Sequence, residues 1–285
     1  MENELSIVLP AKNEEAALTQ LLPRLRSHYP QADILLVDDG STDATARIAT
    51  DAGVRVLSAP YSMGNGAAIK RGAAAARGRV IVFMDADAQH DPADIDALLA
   101  RLDQGYDMVV AARDGEGQAS RSRGLANAFY NRLSSWMTEH EIRDLTSGFR
   151  AVRADKFREF AHLLPNGFSY PTTITMAFFR SAYPVAYVPI RVGQRIGKSH
   201  IRPLRDGVRF LLIIFKIATL YSPLKLFAPV SLAFFGLGLG NYIYTYARYH
   251  RFTNMSALLF SAGVIVFLIG LISEQITALT YRRDT

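Results

Sequence analysis

The chain of 285 residues contains no cysteine. That absence excludes a disulfide framework, thiolate metal sites and cysteine nucleophiles together, and it fits a reducing compartment. Tryptophan is reduced to Trp136 alone, and there is no low-complexity tract and no repeat of solenoid period. Charge is missing from two long stretches near the C-terminus, Leu226 to Ala247 and Met255 to Ile272, which sets these apart from the rest of the chain. The start of the chain does not have the pattern of a secretory leader, because Met1 to Glu4 is acidic and the first apolar run, Leu5 to Leu9, is only strand-length.

What is present is 49% hydrophobic and 20% charged, enough for a buried core, and one soluble domain with a small appendage is the expectation. The charges are unevenly distributed. Residues 1–112 carry 10 Lys/Arg against 16 Asp/Glu, a net −6, and residues 113–285 carry 22 against 10, a net +12, which together give the chain's +6. An acidic half suits a divalent cation, and a basic half suits an anionic partner: nucleic acid, a membrane surface or a phosphorylated substrate.

The two uncharged stretches turn that choice toward a membrane and away from nucleic acid. Each is about as long as a helix needs to be to cross roughly 30 Å of hydrocarbon. With spans over 226–247 and 255–276 and a short loop between them, residues 226–285 are expected to form a transmembrane hairpin with a short tail. Lys216 and Lys225 before it and Arg282 and Arg283 after it favour a cytoplasmic side for the N-terminal domain, against Arg248 and Arg251 in the loop. The competing expectation is a pair of buried helices in a soluble core. Residues 201–225 read as an amphipathic juxtamembrane helix, because Arg202, Arg205, Arg209 and Lys216 fall within an arc of about 60° on an otherwise apolar helix.

Residues 1–200 form the expected catalytic domain, and its first 112 residues alternate between strands and helices. Strands are expected at Leu5–Ala11, Asp33–Asp38, Val54–Ala59, Arg79–Met84 and Asp107–Ala112. Helices are expected at Glu14–Tyr29, from a Thr42 cap to about Ala52, from Gly64-Asn65-Gly66 to Arg77, and from Pro92 to Leu102. Near-continuous apolar strands between amphipathic helices specify an α/β fold with a mostly parallel sheet covered on both faces. Ligands of such sheets sit beyond the carboxyl ends of the strands, where Pro10–Asn13, Asp38–Ser41, Gly64–Gly66 and Asp85–Gln89 converge.

Asp85-Ala86-Asp87-Ala88-Gln89 offers the oxygen donors that a hard cation such as Mg²⁺ or Mn²⁺ requires. Asp38 and Asp39 are placed to accept hydrogen bonds from a base or ribose, although an Asp-Gly turn before a helix is also ordinary turn chemistry. Gly64-Asn65-Gly66 offers close backbone approach at a helix start. Arg121 and Arg123, opening a helical stretch over 120–139, supply cations for an anionic ligand or are solvated helix charges. His90 reads as a structural turn residue, Trp136 as packing or an interfacial anchor, and Phe149 and Tyr170 as core.

The phrases IVLPAKNEE, LLVDDGSTDAT, GNGAAIKRG and VIVFMDADAQHDP closely resemble the inverting family 2 glycosyltransferases of the GT-A fold. Within that family the chain is most similar to dolichol-phosphate mannose synthases and bacterial polyprenyl-phosphate hexosyltransferases, over about Leu5 to His200. The resemblance implies that Asp85, Asp87 and Gln89 hold Mg²⁺ or Mn²⁺ on the donor diphosphate, with Asp87 the most direct ligand. It further implies that Pro10, Ala11, Glu14, Asp38, Asp39, Lys70, Asp85 and Ala86 line the nucleotide site, and that Asp87 and Arg113 serve catalysis. DLTSGFRA, Asp144 to Ala151, and RIGKSH, Arg195 to His200, match segments on the acceptor side. Ser147, Arg195 and Lys198 then join Arg121 and Arg123 around an acceptor phosphate. The family segment usually ends Ser-Lys, and here His200 stands in place of that lysine.

The implied partners are a UDP- or GDP-linked sugar, with UDP favoured, a polyprenyl phosphate and a membrane; no dimer motif is evident, which leaves a homo-oligomer open. Two other readings compete. A processive polysaccharide synthase usually carries Gln-x-x-Arg-Trp and more spans, whereas the single Trp here lies in SSWMTEH. A silent nucleotide-sugar-binding scaffold would need a degraded site, and Asp85, Asp87 and Gln89 are intact.

Overall fold

The computed structural model describes residues 4–113, 131–167, 170–191 and 221–280, with isolated positions 193, 215 and 219. The chain divides into two compact units, residues 1–201 and residues 202–285. Most of the juxtamembrane stretch expected over 201–225, including its basic stripe, lies outside the described residues.

The first unit is the expected α/β architecture. Strands β1 (Leu5–Ala11), β2 (Asp33–Asp38), β3 (Arg55–Ser58) and β4 (Val80–Phe83) alternate with helices α1 (Glu15–His28), α2 (Thr45–Asp51) and α3 (Asn65–Ala75). Helix α4 (Asp94–Leu102), β5 (Met108–Arg113), β6 (Arg150–Arg153), α5 (Ala154–Glu159), α6 (Tyr170–Arg180) and β7 (Val185–Ile190) come next. The seven strands lie in the order β3-β2-β1-β4-β6-β5-β7. All neighbouring pairs are parallel except those of β6, which runs antiparallel to β4 and to β5. Burial over most of the length of β1, β2, β4 and β5 accounts for their apolar sequences. Ile7, Leu9 and Ala11 of β1 join one core cluster with Leu18, Leu21 and Leu22 of α1 and Ile95 and Leu98 of α4. Val8 faces the other way, against α3, where a Cβ on Gly72 would stand 2.3 Å from Val8 Cγ1.

The start of α2 differs from expectation. Helix α2 starts at Thr45, not at a Thr42 cap. Asp43 explains the shift: its carboxylate accepts the N–H groups of Thr45 (3.0 Å) and Glu15 (3.3 Å), while Thr42 N–H is drawn to Asn13 Oδ1 (2.8 Å). The strand beside β4 is β6. The short antiparallel β6 is inserted between β4 and β5, pairing Phe83 with Arg150 and Val110 with Arg150.

The second unit contains the two apolar helices, α7 (Pro223–Tyr249) and α8 (Asn254–Thr280), each 27 residues and thus about 40 Å long. Both are long and apolar enough to cross a membrane by length and composition. Their buried positions recur every seven residues, Ser231, Gly238 and Thr245 on α7 and Ser256, Gly263, Gly270 and Thr277 on α8. Small residues let the helix backbones approach, and aromatic rings fill the gaps: a Cβ on Gly263 would lie 2.9 Å from the Phe235 ring, and one on Gly270 2.8 Å from Phe227 Cβ. Ser231 Oγ donates to Gly263 O at 2.8 Å, while Thr253 and Ser256 donate to Asn241 Oδ1 at the turn. Glu274, the only charged residue of α8, accepts the Leu224 N–H at 3.3 Å and so satisfies an otherwise open amide at the start of α7.

Gly263→Leu should therefore force the helices apart and lower the melting temperature of the detergent-solubilised full chain, an overpacking cost of about 1–3 kcal/mol. Gly236→Ala, where a Cβ meets no atom within 4 Å, should melt as wild type. Circular dichroism melts compare the two, and equal melting would contradict this packing.

Candidate active site

The parallel register carries several chain segments to one edge. Ala11 stands opposite Asp38 at the ends of β1 and β2, and Asp39 N–H extends the ladder to Ala11 O at 2.9 Å. A cavity of about 450 Å³ opens there, lined by Pro10, Ala11, Lys12, Glu14, Asp39, Ser62, Gly64, Asn65, Ala68, Asp85, Ala86 and Asp87. The four strand ends expected to converge do meet in one crevice. Of the residues expected around a nucleotide, Pro10, Ala11, Glu14, Asp39, Asp85 and Ala86 line it.

Asp39 does more than face the cavity. Its carboxylate accepts Ser62 Oγ–H at 2.6 Å, Met63 N–H at 2.6 Å and Gly64 N–H at 3.0 Å, so it fixes the loop that forms one wall. The two loops come so close that a Cβ on Gly40 (φ 67°) would stand 2.6 Å from the Tyr61 carbonyl carbon, a position only glycine fills without strain. Asp38 does not line the cavity: it is buried, and its Oδ1 accepts the Ser41 N–H at 2.9 Å to close the turn. Lys70 also points elsewhere, donating to Leu164 O at 3.1 Å and to Asn166 Oδ1.

The helix start at Gly64–Gly66 is only partly open. Gly66 N–H donates to Gly167 O (3.1 Å) and Ala67 N–H to Asn166 O (2.9 Å). The space left by the missing Gly66 side chain is taken by Pro165 O. This glycine admits the protein's own 165–167 segment, and only Gly64 and Asn65 face the cavity.

Asp85 and Asp87 come directly after β4, with Asp87 buried and its Oδ1 accepting the Gln89 N–H at 3.2 Å. Gln89 is paired to Gly193, accepting its N–H at 2.9 Å and donating its side-chain amide to Gly193 O at 3.4 Å. Gln89 is thus tied to the approach to the Arg195–His200 segment, and it is not among the cavity residues. Because β6 is antiparallel, the residues that precede it reach the same edge. A Cβ on Gly148 would lie 3.1 and 3.3 Å from the two Asp85 carboxylate oxygens.

This donor set fits Mg²⁺ or Mn²⁺. Two carboxylates, one residue apart, stand over a cavity. No group of three or more His, Asp or Glu that could hold a metal ion exists among the described residues. Mg²⁺ is commonly held by one or two carboxylates, with phosphate oxygens and water completing its shell.

Arg113, the last residue of β5, is gripped by Asp144. Nε donates to Oδ2 at 2.7 Å, Nη2 to Oδ1 at 3.1 Å, and Nη2 also reaches Thr146 Oγ1 at 2.5 Å. Asp144 Oδ1 in turn accepts the Thr146 and Ser147 N–H groups at 3.0 and 3.1 Å. Burial by itself raises the Asp144 carboxyl, but the hydrogen bonds and charge of Arg113 and the Thr146 N–H outweigh it and hold the group below the usual carboxylate range. Ser147 is buried, with its hydroxyl toward Phe149 O at 3.5 Å. His90 lies nearby, its ring tilted against that of Phe149 at 4.8 Å and its Nδ1 unpaired. Its burial, opposed by Asp87, pushes it down to about 4, so it is neutral at pH 7. Phe149 and Tyr170 are core residues, whereas Trp136 is 54% exposed.

Arg121, Arg123, Arg195 and Lys198 lie outside the described residues. Lys12 was missed from the sequence; it is the one cation in the cavity lining, and its position directly after Ala11 was its only signal. The sequence shows Asp144 only as part of a segment, because its role depends on a partner 31 residues away.

The Asp144 carboxyl is depressed in the fold, so the contribution of its pair with Arg113 is present above the unfolded value of about 3.9 and lost as pH falls through the folded value. In urea unfolding, the stability gap between wild type and Asp144→Asn should therefore be constant from pH 7 to pH 5 and narrow below about pH 4. A gap that stayed constant down to pH 3 would contradict it.

Two family models match the chain: Glycosyl transferase family 2 over residues 6–161 and GtrB C-terminal hairpin over residues 222–279. Glycosyltransferase AglJ of Haloferax volcanii is 27% identical over 288 residues, covering 96% of this chain and 93% of its own. An undecaprenyl-phosphate 4-deoxy-4-formamido-L-arabinose transferase of Pseudomonas fluorescens is 31% identical, with coverage of 82% and 70%. The polyprenol monophosphomannose synthase of Mycolicibacterium smegmatis is 29% identical, with coverage of 74% and 84%. Among solved structures, glucosyl-3-phosphoglycerate synthase from Mycobacterium tuberculosis, in complex with Mn²⁺ and UDP-glucose, shares the fold with a TM-score of 0.60 at 24% identity, covering 76% of this chain and 78% of that one. A match over more than half of the chain, on a mostly parallel sheet with the motifs gathered at its carboxyl edge, establishes that the chain belongs to glycosyl transferase family 2.

Proposed function

We propose that this glycosyltransferase moves a hexosyl group from a UDP- or GDP-linked sugar, UDP being favoured, to the phosphate of a polyprenyl lipid (undecaprenyl or dolichyl). The observation that carries this reading is the joining, in one chain, of an acidic strand-end cavity to a two-helix hairpin of the GtrB type. The names of the relatives support the acceptor: undecaprenyl-phosphate transferases and a polyprenol monophosphomannose synthase match over most of the chain. The solved structure with Mn²⁺ and UDP-glucose supports a divalent ion and a nucleoside diphosphate in this fold. Lys216, Lys225, Arg282 and Arg283 support a cytoplasmic catalytic unit, at the inner membrane of a bacterial cell.

The chemistry rests on the charges. A phosphate monoester is already anionic near neutral pH, so its oxygen needs no general base to attack the anomeric carbon. As that C–O bond forms, the bond to the departing diphosphate breaks on the opposite face, and configuration inverts. Mg²⁺ or Mn²⁺, when bound, would supply the positive charge that the departing diphosphate needs. Asp85 and Asp87 would hold the ion, with Gln89, which stands outside the cavity lining, as the proposed third donor, while Pro10, Ala11, Glu14 and Asp39 surround base and ribose. Lys12 adds a positive charge at the rim. Arg113, oriented by Asp144, is the cation proposed for the diphosphate side, and Arg121, Arg123, Arg195 and Lys198 receive the lipid phosphate; Ser147, buried and bonded within its own segment, does not reach it. Fixed charges and dipoles of this kind stabilise the transition state by being positioned before the reaction.

In mixed micelles with polyprenyl phosphate and radiolabelled UDP-glucose or GDP-mannose, the expected product is a lipid-extractable sugar. Asp87→Ala should lower transfer by at least about 10²-fold and chelation should abolish it, whereas Arg123→Ala should raise the KM for the lipid with little change in that for the nucleotide sugar. Full activity of Asp87→Ala with the metal chelated would sink the site assignment, and a polymeric product would overturn the acceptor.

A further inference from the structure

Arg150 is the largest fully buried side chain in the described residues, with no exposed surface. A buried guanidinium is costly unless it is paired, yet among the described residues it forms no ion pair with a carboxylate. Its two Nη groups donate instead to oxygens of the 147–149 segment and of α6, and to Met108 Sδ at 3.7 Å, while Nε has no partner among the described residues. Nη2 donates to Ser147 O, and Nη1 donates to Pro171 O and Thr175 Oγ1, both at 3.1 Å. The guanidinium carbon stands 5.7 Å from the centre of the Tyr170 ring. Tyr170 Oη–H in turn donates to Gly148 O at 3.0 Å. Two consecutive carbonyls, of Ser147 and Gly148, are therefore held by two buried side chains. Gly148 itself lies against Asp85: an added Cβ would stand 3.1 Å from Asp85 Oδ2 and 3.3 Å from Tyr170 Oη.

We infer that Arg150, together with Tyr170, is a positioning residue for Asp85, holding the 147–149 segment against its carboxylate so that Asp85 keeps the pose in which it meets the metal-bound diphosphate. The inference rests on the proposed role of Asp85 and adds residues that do not touch the donor. A purely structural role would be met by an apolar side chain in the same space, at lower desolvation cost. Two features separate Arg150 from such filler: it spans three oxygen acceptors, and it bonds directly to the Ser147 carbonyl, next to the glycine that lies against Asp85. Lysine keeps the charge but presents a single ammonium, which cannot span Ser147 O, Pro171 O and Thr175 Oγ1 in the fixed fork of a guanidinium.

The test uses the full-length protein in nanodiscs, with Mn²⁺ as the bound probe, monitored by electron paramagnetic resonance in the presence of UDP and, in parallel, GDP. Variants Arg150→Lys, Arg150→Met, Tyr170→Phe and Asp85→Asn are compared with wild type, each with a ligand-free melt and a steady-state KM and kcat for donor and lipid. Tyr170→Phe removes a single hydroxyl and decides the matter should either Arg150 variant fail to fold. The expected result is Mn²⁺–nucleotide affinity weaker by about 10- to 100-fold in the Arg150 variants, as for other residues that orient metal ligands, and by a smaller factor in Tyr170→Phe. The KM for the donor should rise and kcat fall, with the KM for the lipid unchanged. Wild-type Mn²⁺ affinity in Tyr170→Phe and in every folded Arg150 variant, with Asp85→Asn defective, would overturn the positioning role alone. Wild-type affinity in Asp85→Asn would instead overturn the reading of Asp85. Affinity losses that merely track the loss of melting temperature would assign Arg150 to the fold and also overturn the inference.

Discussion

The parallel hydrogen-bond ladder of β1, β2 and β4 is the constraint on which the site depends. In parallel strands the pairing direction is shared, so residues that leave the ladder after each strand emerge at one edge. Ala11 opposite Asp38, and Val8 opposite Phe83, set the level at which Pro10–Asn13, Asp38–Ser41 and Asp85–Gln89 turn away. The antiparallel β6 brings a further piece to that edge by the opposite rule. The chain entering β6, rather than the chain leaving it, lies beside the end of β4, and so the Asp144–Phe149 segment meets the acidic motif. The strands are buried on both faces, so sliding any of them would expose core residues such as Ile7, Leu36 and Val82, which are inaccessible to solvent.

Electrostatics at this edge are arranged in two layers. The cavity lining is acidic, with Glu14, Asp39, Asp85 and Asp87 against the single cation Lys12. Behind it stand two arginines in different states: Arg113, partly exposed and paired with Asp144, and Arg150, enclosed and bonded only to neutral acceptors. A charge removed from water acts over longer distances than one at the surface, because less screening intervenes. His90, kept neutral by burial, adds shape without charge.

The hairpin obeys different physics. Within a bilayer there is no hydrophobic gain in bringing two apolar helices together, so close packing and local hydrogen bonds must do it. The seven-residue recurrence of Ser, Gly and Thr on the facing sides, with Phe227, Phe235 and Phe260 interlocked against the glycines, meets that requirement.

Much of the molecule was legible in one sequence. Apolar runs of strand length, turn residues after them and two long uncharged stretches revealed the order of elements and the hairpin, since burial and the thickness of a bilayer act on local composition. Asp85, Asp87, Asp39, Pro10 and Ala11 could be placed at a common edge because strand ends are local features, whereas Glu14 was implied only by the family resemblance. Asp38 and Lys70 could not be assigned so, because a side chain's direction is set by neighbours distant in sequence or by the closure of its own turn: a turn amide for one, the 164–166 segment for the other. The closure of Gly66 by Pro165, the grip of Asp144 on Arg113 and the burial of Arg150 likewise join residues 31 to 99 positions apart, or depend on the insertion of β6. Composition and periodicity determined which elements exist and where oxygen donors gather. Only the tertiary structure decided which of those donors face the cavity, because strand order and direction are settled by packing over the whole sheet, not by any one strand.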